Sequence, residues 1–230
     1  MKTSAVSLAP AFAAALLVSQ SCPAQYSGSP GRLDGPYFNV NAGPAFTHDG
    51  MVTELTGFAA GNRINYDTGF GVDAAIGYVF NDIASVEFEV GWIGNELDRV
   101  QGFTMSDTFL YNAPFMVNVT LQYPIPHSTV TPYVGVGGGG SATTFDTDGF
   151  SNGSITMFGN DTDVVFAYQA FAGVRFDLNE RMSLGIRYKY FATEDSSFNF
   201  NSFNPSGPPV RLGIEGVRTH LVTASFNMKF

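Results

Sequence analysis

Apolar and polar residues alternate with a period of two along most of this 230-residue chain from Pro36 onward, and no useful stretch of helical spacing appears. The alternation is clearest over 219–230, where five of six alternate positions are apolar and five of the other six are polar. Segments 86–92 and 183–190 repeat the pattern. A period of two is typical of strands with one apolar face, so the pattern predicts an all-β protein.

The alternation predicts eight strands joined by connections of unequal length. We expect strands at 37–46, 70–80, 85–94, 108–123, 130–141, 164–176, 182–192 and 218–230. Short turns follow at 81–84, 124–129 and 177–181. Long loops follow at 47–69, 95–107, 142–163 and 193–217. Because long and short connections alternate, all long loops lie at one end of the sheet and all short turns at the other.

This segregation of the connections indicates a membrane protein. A soluble sandwich has no reason to sort its loops by length, whereas transmembrane barrels combine short periplasmic turns with long extracellular loops. Lipid offers no hydrogen-bond partner to an open sheet edge, so such strands must close into a ring. The predicted fold class is therefore an all-β, closed, up-and-down, antiparallel, eight-stranded transmembrane β-barrel over 36–230.

The first 24 residues have the layout of a secretory signal peptide. Lys2 supplies a positive start, an alanine-rich apolar stretch covers 8–18, and small residues end at Ala24. We expect a signal peptide at 1–24 and a short N-terminal stub at 25–35. Lipoprotein processing at Cys22 is an alternative, but the residues before the cysteine lack the aliphatic side chain that this processing needs.

The acidic residues are concentrated in the predicted long loops. Charged residues make up 13% of the chain, the formal net charge is −9, and no basic stripe offers a site for nucleic acid. The long loops contain Arg63, Arg99 and Arg211 as their only bases. Their 13 acidic residues are Asp49, Glu54, Asp67, Glu96, Asp98, Asp107, Asp146, Asp148, Asp161, Asp163, Glu194, Asp195 and Glu215.

Charged residues on the polar face of the strands predict an ion-pair network inside the barrel. Acids lie on the second and third strands and bases on the sixth to eighth, so opposite walls carry opposite charges. An eight-stranded barrel is just wide enough for side chains to fill, so we expect pairing across the lumen and no wide pore. The predicted network consists of Asp73, Glu87, Glu89, Arg175, Arg187, Lys189 and Lys229.

Five segments carry a family resemblance through their order and spacing. They are GPYFNVNAG at 35–43, TPYVGVG at 131–137, AYQAFAGVR at 167–175, LGIRYKY at 184–190 and FNMKF at 226–230. Together they resemble the OmpA-like family of eight-stranded outer-membrane β-barrels, and most of all its stand-alone members of the porin-family type. The resemblance implies export to the Gram-negative outer membrane, contact with its lipid and lipopolysaccharide, and insertion by the barrel-assembly machinery. It also implies a C-terminal assembly signal formed by Phe226, Met228 and Phe230.

Two glycine-containing motifs are interpreted as structural, and we expect no enzyme activity. Gly135, Gly137 and Gly140 fit a dinucleotide-binding fingerprint but lie within a strand in a chain without helices, so we interpret them as small inward residues that relieve crowding. The run GFSNG at 149–153 lies in a loop, whereas a nucleophile elbow needs a strand-to-helix turn.

We also expect no cofactor and no metal site. The histidines, His48, His127 and His220, are scattered along the chain, and the sequence places none of them beside a second ligand. A looser hypothesis is divalent-ion binding by the four aspartates of the third long loop, since clustered oxygen ligands suit calcium or magnesium. The competing interpretation is a solvated acidic loop.

The leading functional hypothesis is a non-enzymatic outer-membrane protein whose four acidic loops contact an unknown surface partner. The alternative is a small channel or transporter for an apolar or small solute, indicated by loop phenylalanines at 103, 150, 158, 198, 200 and 203. A soluble lipocalin-like ligand-binding barrel would reverse the two faces and leave the loop asymmetry unexplained. A lipid-acting enzyme would need a serine beside His220, which the neighbouring outward positions lack.

Overall fold

The computed structural model describes residues 35–56, 61–80, 83–151, 156–200 and 210–230. The predicted signal peptide and all but the last residue of the predicted stub lie outside these residues. Twelve strands run through the described part of the chain. They are β1 (Gly35–Thr47), β2 (Gly50–Leu55), β3 (Arg63–Tyr66), β4 (Gly69–Val79), β5 (Ala84–Val100), β6 (Thr104–Gln122), β7 (Val130–Ser151), β8 (Thr156–Asp177), β9 (Met182–Thr193), β10 (Ser196–Phe200), β11 (Val210–Ile214) and β12 (Arg218–Lys229).

Eight of these strands form a closed antiparallel ring in the order β1, β4, β5, β6, β7, β8, β9, β12. The ring closes because β1 pairs with β4 on one side and with β12 on the other. Tyr37, for example, lies between Gly77 of β4 and Lys229 of β12. The predicted closed barrel of eight antiparallel strands is confirmed.

The long connections were predicted to be loops, and this prediction is wrong because all four contain β-strand. In the second long connection, β5 ends only at Val100 and β6 begins at Thr104. In the third, β7 ends at Ser151 and β8 begins at Thr156. These two predicted loops are therefore extensions of β-hairpins. The first and last long connections contain β2, β3, β10 and β11. These segments contain threonine, aspartate and glycine, which are common in turns. Apolar residues nevertheless alternate with them, as in the other strands.

The extra strands continue the barrel wall beyond the ring as an outer extension, in the order β10, β11, β2, β3, β5. The extension encloses a hydrophobic core, which we call the outer core. In it the centroid of the Phe145 ring lies 5.8 Å from that of Phe198 and 5.6 Å from that of Phe200. This outer core consists of Val52, Leu55, Ile64, Leu97, Val100, Leu110, Phe145, Met157, Phe198, Phe200, Val210, Leu212, Ile214 and Val217.

The ring has the reverse polarity of a soluble barrel. Its interior holds buried polar side chains such as Asn41, Glu89 and Asn118, whereas its exterior exposes large aliphatic side chains such as Ile76 at 63% and Ile186 at 61%. Such a large exposed apolar surface is typical of contact with lipid. The lipocalin-like alternative requires the opposite arrangement. No helix among the described residues is long and apolar enough to cross a bilayer.

Replacement of Phe198 by alanine tests the outer core. Phe198 is completely buried, so its removal leaves a cavity and we expect the outer extension to lose about 3–5 kcal/mol of stability. Amide hydrogen exchange in β10 and β11 measures this loss. Phe158→Ala is the matched control, because Phe158 is 48% exposed and its removal creates no cavity. Equal exchange in the two variants would contradict a packed outer core.

Candidate functional site

Four charged side chains meet inside the barrel and form what we call the charge cluster: Asp73 of β4, Glu89 of β5, and Arg187 and Lys189 of β9. Arg187 Nη2 donates to both carboxylate oxygens of Asp73 at 2.7 and 2.6 Å, and Nη1 donates to Glu89 Oε2 at 3.4 Å. Lys189 Nζ lies 2.7 Å from Asp73 Oδ2 and 2.5 Å from Glu89 Oε1. Each cation therefore contacts both anions, and the cluster is neutral.

Amide side chains complete the coordination of the two carboxylates. Asn41 Nδ2 donates to Asp73 Oδ1 at 2.5 Å, and Gln169 Nε2 donates to Glu89 Oε1 at 3.1 Å. Glu89 is fully buried and Arg187 is 1% exposed. Because burial of unpaired charges costs several kcal/mol per ion, this dense network of partners is what makes the four charges tolerable inside the lumen.

Three other residues of the predicted network lie outside the charge cluster. Glu87 accepts hydrogen bonds from Tyr37 Oη at 2.8 Å and from Asn118 Nδ2 at 3.0 Å. Arg175 donates to Gln122 Oε1. Lys229 lies half-buried near the end of β12. The structure thus brings together four of the seven residues and places Glu87 among neutral partners.

Glu87 and Arg175 both line a small cavity on the side of the cluster that faces the short turns. Its volume is about 10 Å³, which is room for about one water molecule. Tyr133 lines the cavity, and its ring centroid lies 5.0 Å from the Arg175 guanidinium. The buried guanidinium of Arg187 likewise lies 5.2 Å from the ring centroid of Phe171. Cation–π contacts therefore supplement the ion pairs in this crowded lumen.

Two of the three glycines in the strand β7 motif provide the space that this network needs. A Cβ at Gly137 would overlap the Asn118 side-chain amide, and one at Gly135 would overlap the Phe171 ring. The interpretation of Gly140 as inward is wrong, because strand alternation turns it outward, where a Cβ would overlap the lipid-facing ring of Phe115. The glycines are required by close packing on both faces of β7.

An apolar layer covers the charge cluster on the side of the long connections. It consists of buried residues from six different strands, namely Ala45, Ile93, Met116, Ala167, Phe191 and Leu221. Beyond it, Thr47 Oγ1 donates to Asn95 Oδ1 at 2.9 Å, and Thr143 Oγ1 donates to Asn112 Oδ1 at 2.9 Å. The outer core follows. Charged, apolar, polar and apolar layers thus succeed one another along the interior.

The loop phenylalanines named above contribute to packing where the structure describes their side chains. Phe198 and Phe200 are buried in the outer core, and Phe103 packs against it. Phe158 is 48% exposed. The side chains of Phe150 and Phe203 lie outside the described part of the structure.

The outer surface of the extension is acidic. The 13 acids predicted to lie in long loops are all exposed or half-buried. Two of them bind the backbone of β10: Asp163 Oδ2 accepts the backbone N–H of Ser197 at 2.9 Å, and Asp161 Oδ2 accepts that of Asn199 at 2.7 Å. These carboxylates of β8 therefore cover the free edge of β10 and close the extension on that side.

Among the described residues, no group of three or more His, Cys, Asp or Glu side chains is placed to hold a metal ion. The aspartate hypothesis for calcium or magnesium therefore gains no geometric support, since Asp161 and Asp163 bind backbone amides.

Burial raises the pKa of the Tyr66 phenol in the outer extension, and the nearby charges of Asp49 and Glu215 raise it further. This phenol therefore remains neutral and adds no charge to the acidic surface.

The expectation that no histidine lies beside a second ligand is wrong for two of the three. His48 Nε2 and His220 Nε2 are 2.8 Å apart, although 172 positions separate them in the chain. The pairing of Phe46 with His220 brings the two rings together, and this register was not known from the sequence. His127 lies in a short turn at the opposite end of the barrel.

The residues of the predicted assembly signal lie on the outward face of β12. Phe226 and Met228 alternate with the inward Asn227, and Phe230 follows at the end of the chain with 60% of its surface exposed. Phe230 N donates to Pro36 O at 3.1 Å, so the last residue of the chain is hydrogen-bonded to the start of β1.

A comparison with protein families identifies the class of this barrel. The family model of the outer membrane protein beta-barrel domain matches residues 11–230, and the chain belongs to this family. The protein is therefore an outer-membrane β-barrel protein, and its family is one of membrane barrels rather than enzymes. No curated protein matches the chain.

Solved structures of small outer-membrane barrels share the fold. The outer membrane protein OprG from Pseudomonas aeruginosa matches with a TM-score of 0.60 at 15% identity, over 86% of this chain and 98% of OprG. Neisserial surface protein A gives 0.52 at 16% identity, over 85% and 97%. AlkL, solved in lipid bilayers, gives 0.51 at 18% identity, over 92% and 97%. At these identities the likeness establishes the fold alone.

Replacement of Arg187 by methionine tests the charge cluster. The change leaves the carboxylates of Asp73 and Glu89 with Lys189 as the one cation of the cluster, so we expect the barrel to lose about 3–5 kcal/mol. Urea unfolding in lipid vesicles, followed by the gel mobility of unboiled samples, measures the loss. Arg211→Met is the control, since the exposed pair of Arg211 with Glu54 contributes at most about 1 kcal/mol. Similar midpoints for both variants would be inconsistent with a stabilising cluster.

Replacement of Asp161 and Asp163 by alanine tests the closure of the outer extension. Loss of both acceptors frees the edge of β10, so we expect faster hydrogen exchange at the amides of Ser197 and Asn199 by about tenfold or more, the equivalent of one ordinary hydrogen bond. Asp148→Ala removes an exposed carboxylate from the same hairpin and serves as the control. Unchanged exchange in the double variant would refute the edge-covering role.

Proposed function

We propose that this protein is a closed, non-conducting outer-membrane barrel that holds a rigid acidic surface outside the cell. One observation supports this proposal above the others: the interior is filled in successive layers by the charge cluster, the apolar layer and the outer core. A filled lumen provides no path for ions or sugars. The part of the protein that remains available for function is then its outer extension.

The outer extension has the properties of an interaction surface. Its strands are held by regular pairing and by the outer core, so it presents side chains without a large ordering cost on binding. Its surface carries the acids described above against three arginines, which favours a partner with a basic surface. Lipopolysaccharide phosphates bridged through divalent ions are a further class of contact. The short turns, together with Gly35 and Phe230 at the two ends of the described chain, then face the periplasm.

Assembly of the barrel is the second part of the proposal. The aromatic and apolar residues Phe226, Met228 and Phe230 form one outward row at the end of β12. We assign to this row recognition by the barrel-assembly machinery, after export directed by the signal peptide. The row is accessible before insertion because it faces lipid and takes no part in lumen packing.

A second candidate function is passage of an apolar solute, and the apolar lining of the outer extension favours it. Phe145, Phe198 and Phe200 form an aromatic centre there. The same three residues are at most 3% exposed, so they fill the interior and leave no open path in this conformation. Transfer of a fluorescent apolar probe into liposomes, faster with the protein than without, would favour this function over the first.

Permeability measurements test the closed barrel. We expect liposomes that contain the purified protein to swell in a small saccharide no faster than protein-free liposomes, and planar bilayers to show no channel openings. The comparison variant replaces Met116, Phe191 and Leu221 together by alanine, which removes the bulk of the apolar layer. Unboiled gel mobility establishes that each protein is folded. Swelling or discrete openings with the wild-type protein would overturn the proposal.

A further inference from the structure

The two histidines that meet at the loop end lie across the seam where the barrel closes. His48 directly follows β1, and its backbone N–H donates to Arg218 O at 2.9 Å. His220 lies two residues further along β12, opposite Phe46. The two side chains are therefore diagonal neighbours on the outward face, and their Nε2 atoms lie 2.8 Å apart. Their rings meet edge to face at a centroid distance of 4.8 Å.

Two tyrosines of strand β9 hold the His220 ring in place. Tyr188 Oη lies 2.5 Å from His220 Nδ1, and the Tyr188 ring stacks on the imidazole at an angle of 30°. Tyr190, which pairs with His220 across the ladder, contributes a tilted ring contact at 5.3 Å. When His220 Nδ1–H donates a hydrogen bond to the Tyr188 oxygen, Nε2 of His220 is unprotonated and its lone pair points toward His48.

The spacing of the two Nε2 atoms suits a metal ion. Imidazole nitrogens lie about 2.0–2.1 Å from a bound ion, so two neighbouring ligands are separated by about 2.9 Å at the 90° angle of a tetragonal copper or nickel site and by about 3.3 Å at the tetrahedral angle of zinc. Imidazole is a preferred ligand of zinc, copper and nickel. The outer nitrogen of a metal-binding histidine usually donates to a hydrogen-bond acceptor that orients the ring, and the Tyr188 oxygen is placed to be that acceptor for His220. The 2.8 Å spacing therefore fits a copper or nickel ion, which lies beside the line between the two nitrogens once both rings turn their lone pairs toward it, whereas zinc also requires the nitrogens to separate by about 0.5 Å.

We propose that His48 and His220 form a surface site for a divalent transition-metal ion of the zinc and copper type, with Tyr188 as the positioning residue. The ion binds both Nε2 atoms in place of the hydrogen bond between them, and the proton of that hydrogen bond moves through solvent to Nδ1 of His48, so both imidazoles stay neutral. Water molecules complete the coordination, because His48 is exposed. The bound ion links β1 to β12 and reinforces the closure of the barrel.

This site is independent of the proposed surface role and of the charge cluster. Its ligands face outward, whereas Asp73, Glu89, Arg187 and Lys189 face the lumen. The acidic residues of the outer extension offer oxygen ligands, which suit calcium and magnesium better than zinc or copper. Selectivity for zinc over calcium therefore distinguishes the histidine site from general attraction of cations to the acidic surface.

Zinc titration by calorimetry tests the site, with protein in detergent micelles and without a polyhistidine tag. We expect one zinc ion per wild-type chain and at least tenfold weaker binding by His48→Ala and by His220→Ala. His127→Ala is the matched control and should bind like the wild type, since this third histidine lies at the opposite end. Tyr188→Phe should bind about tenfold more weakly, through loss of orientation of His220.

Copper electron paramagnetic resonance identifies the ligands directly. Wild-type protein with one equivalent of Cu²⁺ should show coupling to two imidazole nitrogens, and either histidine variant should show at most one. Unboiled gel mobility confirms that each variant is folded. The proposal is overturned if the wild-type protein binds no zinc at about 1 mM, if His127→Ala removes the binding, or if both loop-end variants bind like the wild type. Unchanged affinity of Tyr188→Phe would overturn the role of Tyr188.

Discussion

Opposite charges that meet across the lumen determine how the walls of this barrel can be arranged. Arg187 and Lys189 on β9 reach Asp73 on β4 and Glu89 on β5, on the far side of the ring. Successive strand residues alternate between lumen and lipid, so a slip of one residue would turn these charges toward lipid. The cost of an unpaired charge in lipid or in the lumen therefore favours a single register for each of these strands.

The same constraint connects the inside of the barrel to its outside. A lumen filled by paired charges and amides leaves the aliphatic residues for the lipid face, where Ile76, Val136 and Ile186 are exposed. Beyond the lipid-facing ring the inside becomes apolar, and Leu212 and Ile214 are buried in the outer core while acids cover the surface. The chain therefore changes from inside-out polarity to ordinary globular polarity along single continuous strands such as β7 and β8.

Strand alternation made the barrel predictable, because burial on one face leaves a period of two that is visible in the sequence. It also identified Asp73, Glu89, Arg187 and Lys189 as lumen residues. The alternation did not contain the register between distant strands, so the neutral partners of Glu87 and the contact of His48 with His220 could not be predicted. The strands of the outer extension were not predicted, because residues such as Thr143 and Asp146 are typical of loops unless their pairing with β8 is known.

A charge exchange between Asp73 and Arg187 measures the central interaction most directly. The single variants Asp73→Arg and Arg187→Asp each place like charges in contact, whereas the double variant restores an opposite pair across the same lumen. Urea unfolding of the four proteins in vesicles gives the coupling free energy. The account predicts a double variant more stable than either single variant, with a coupling of at least about 1 kcal/mol. Additive losses, with the double variant the least stable of the four, would contradict it.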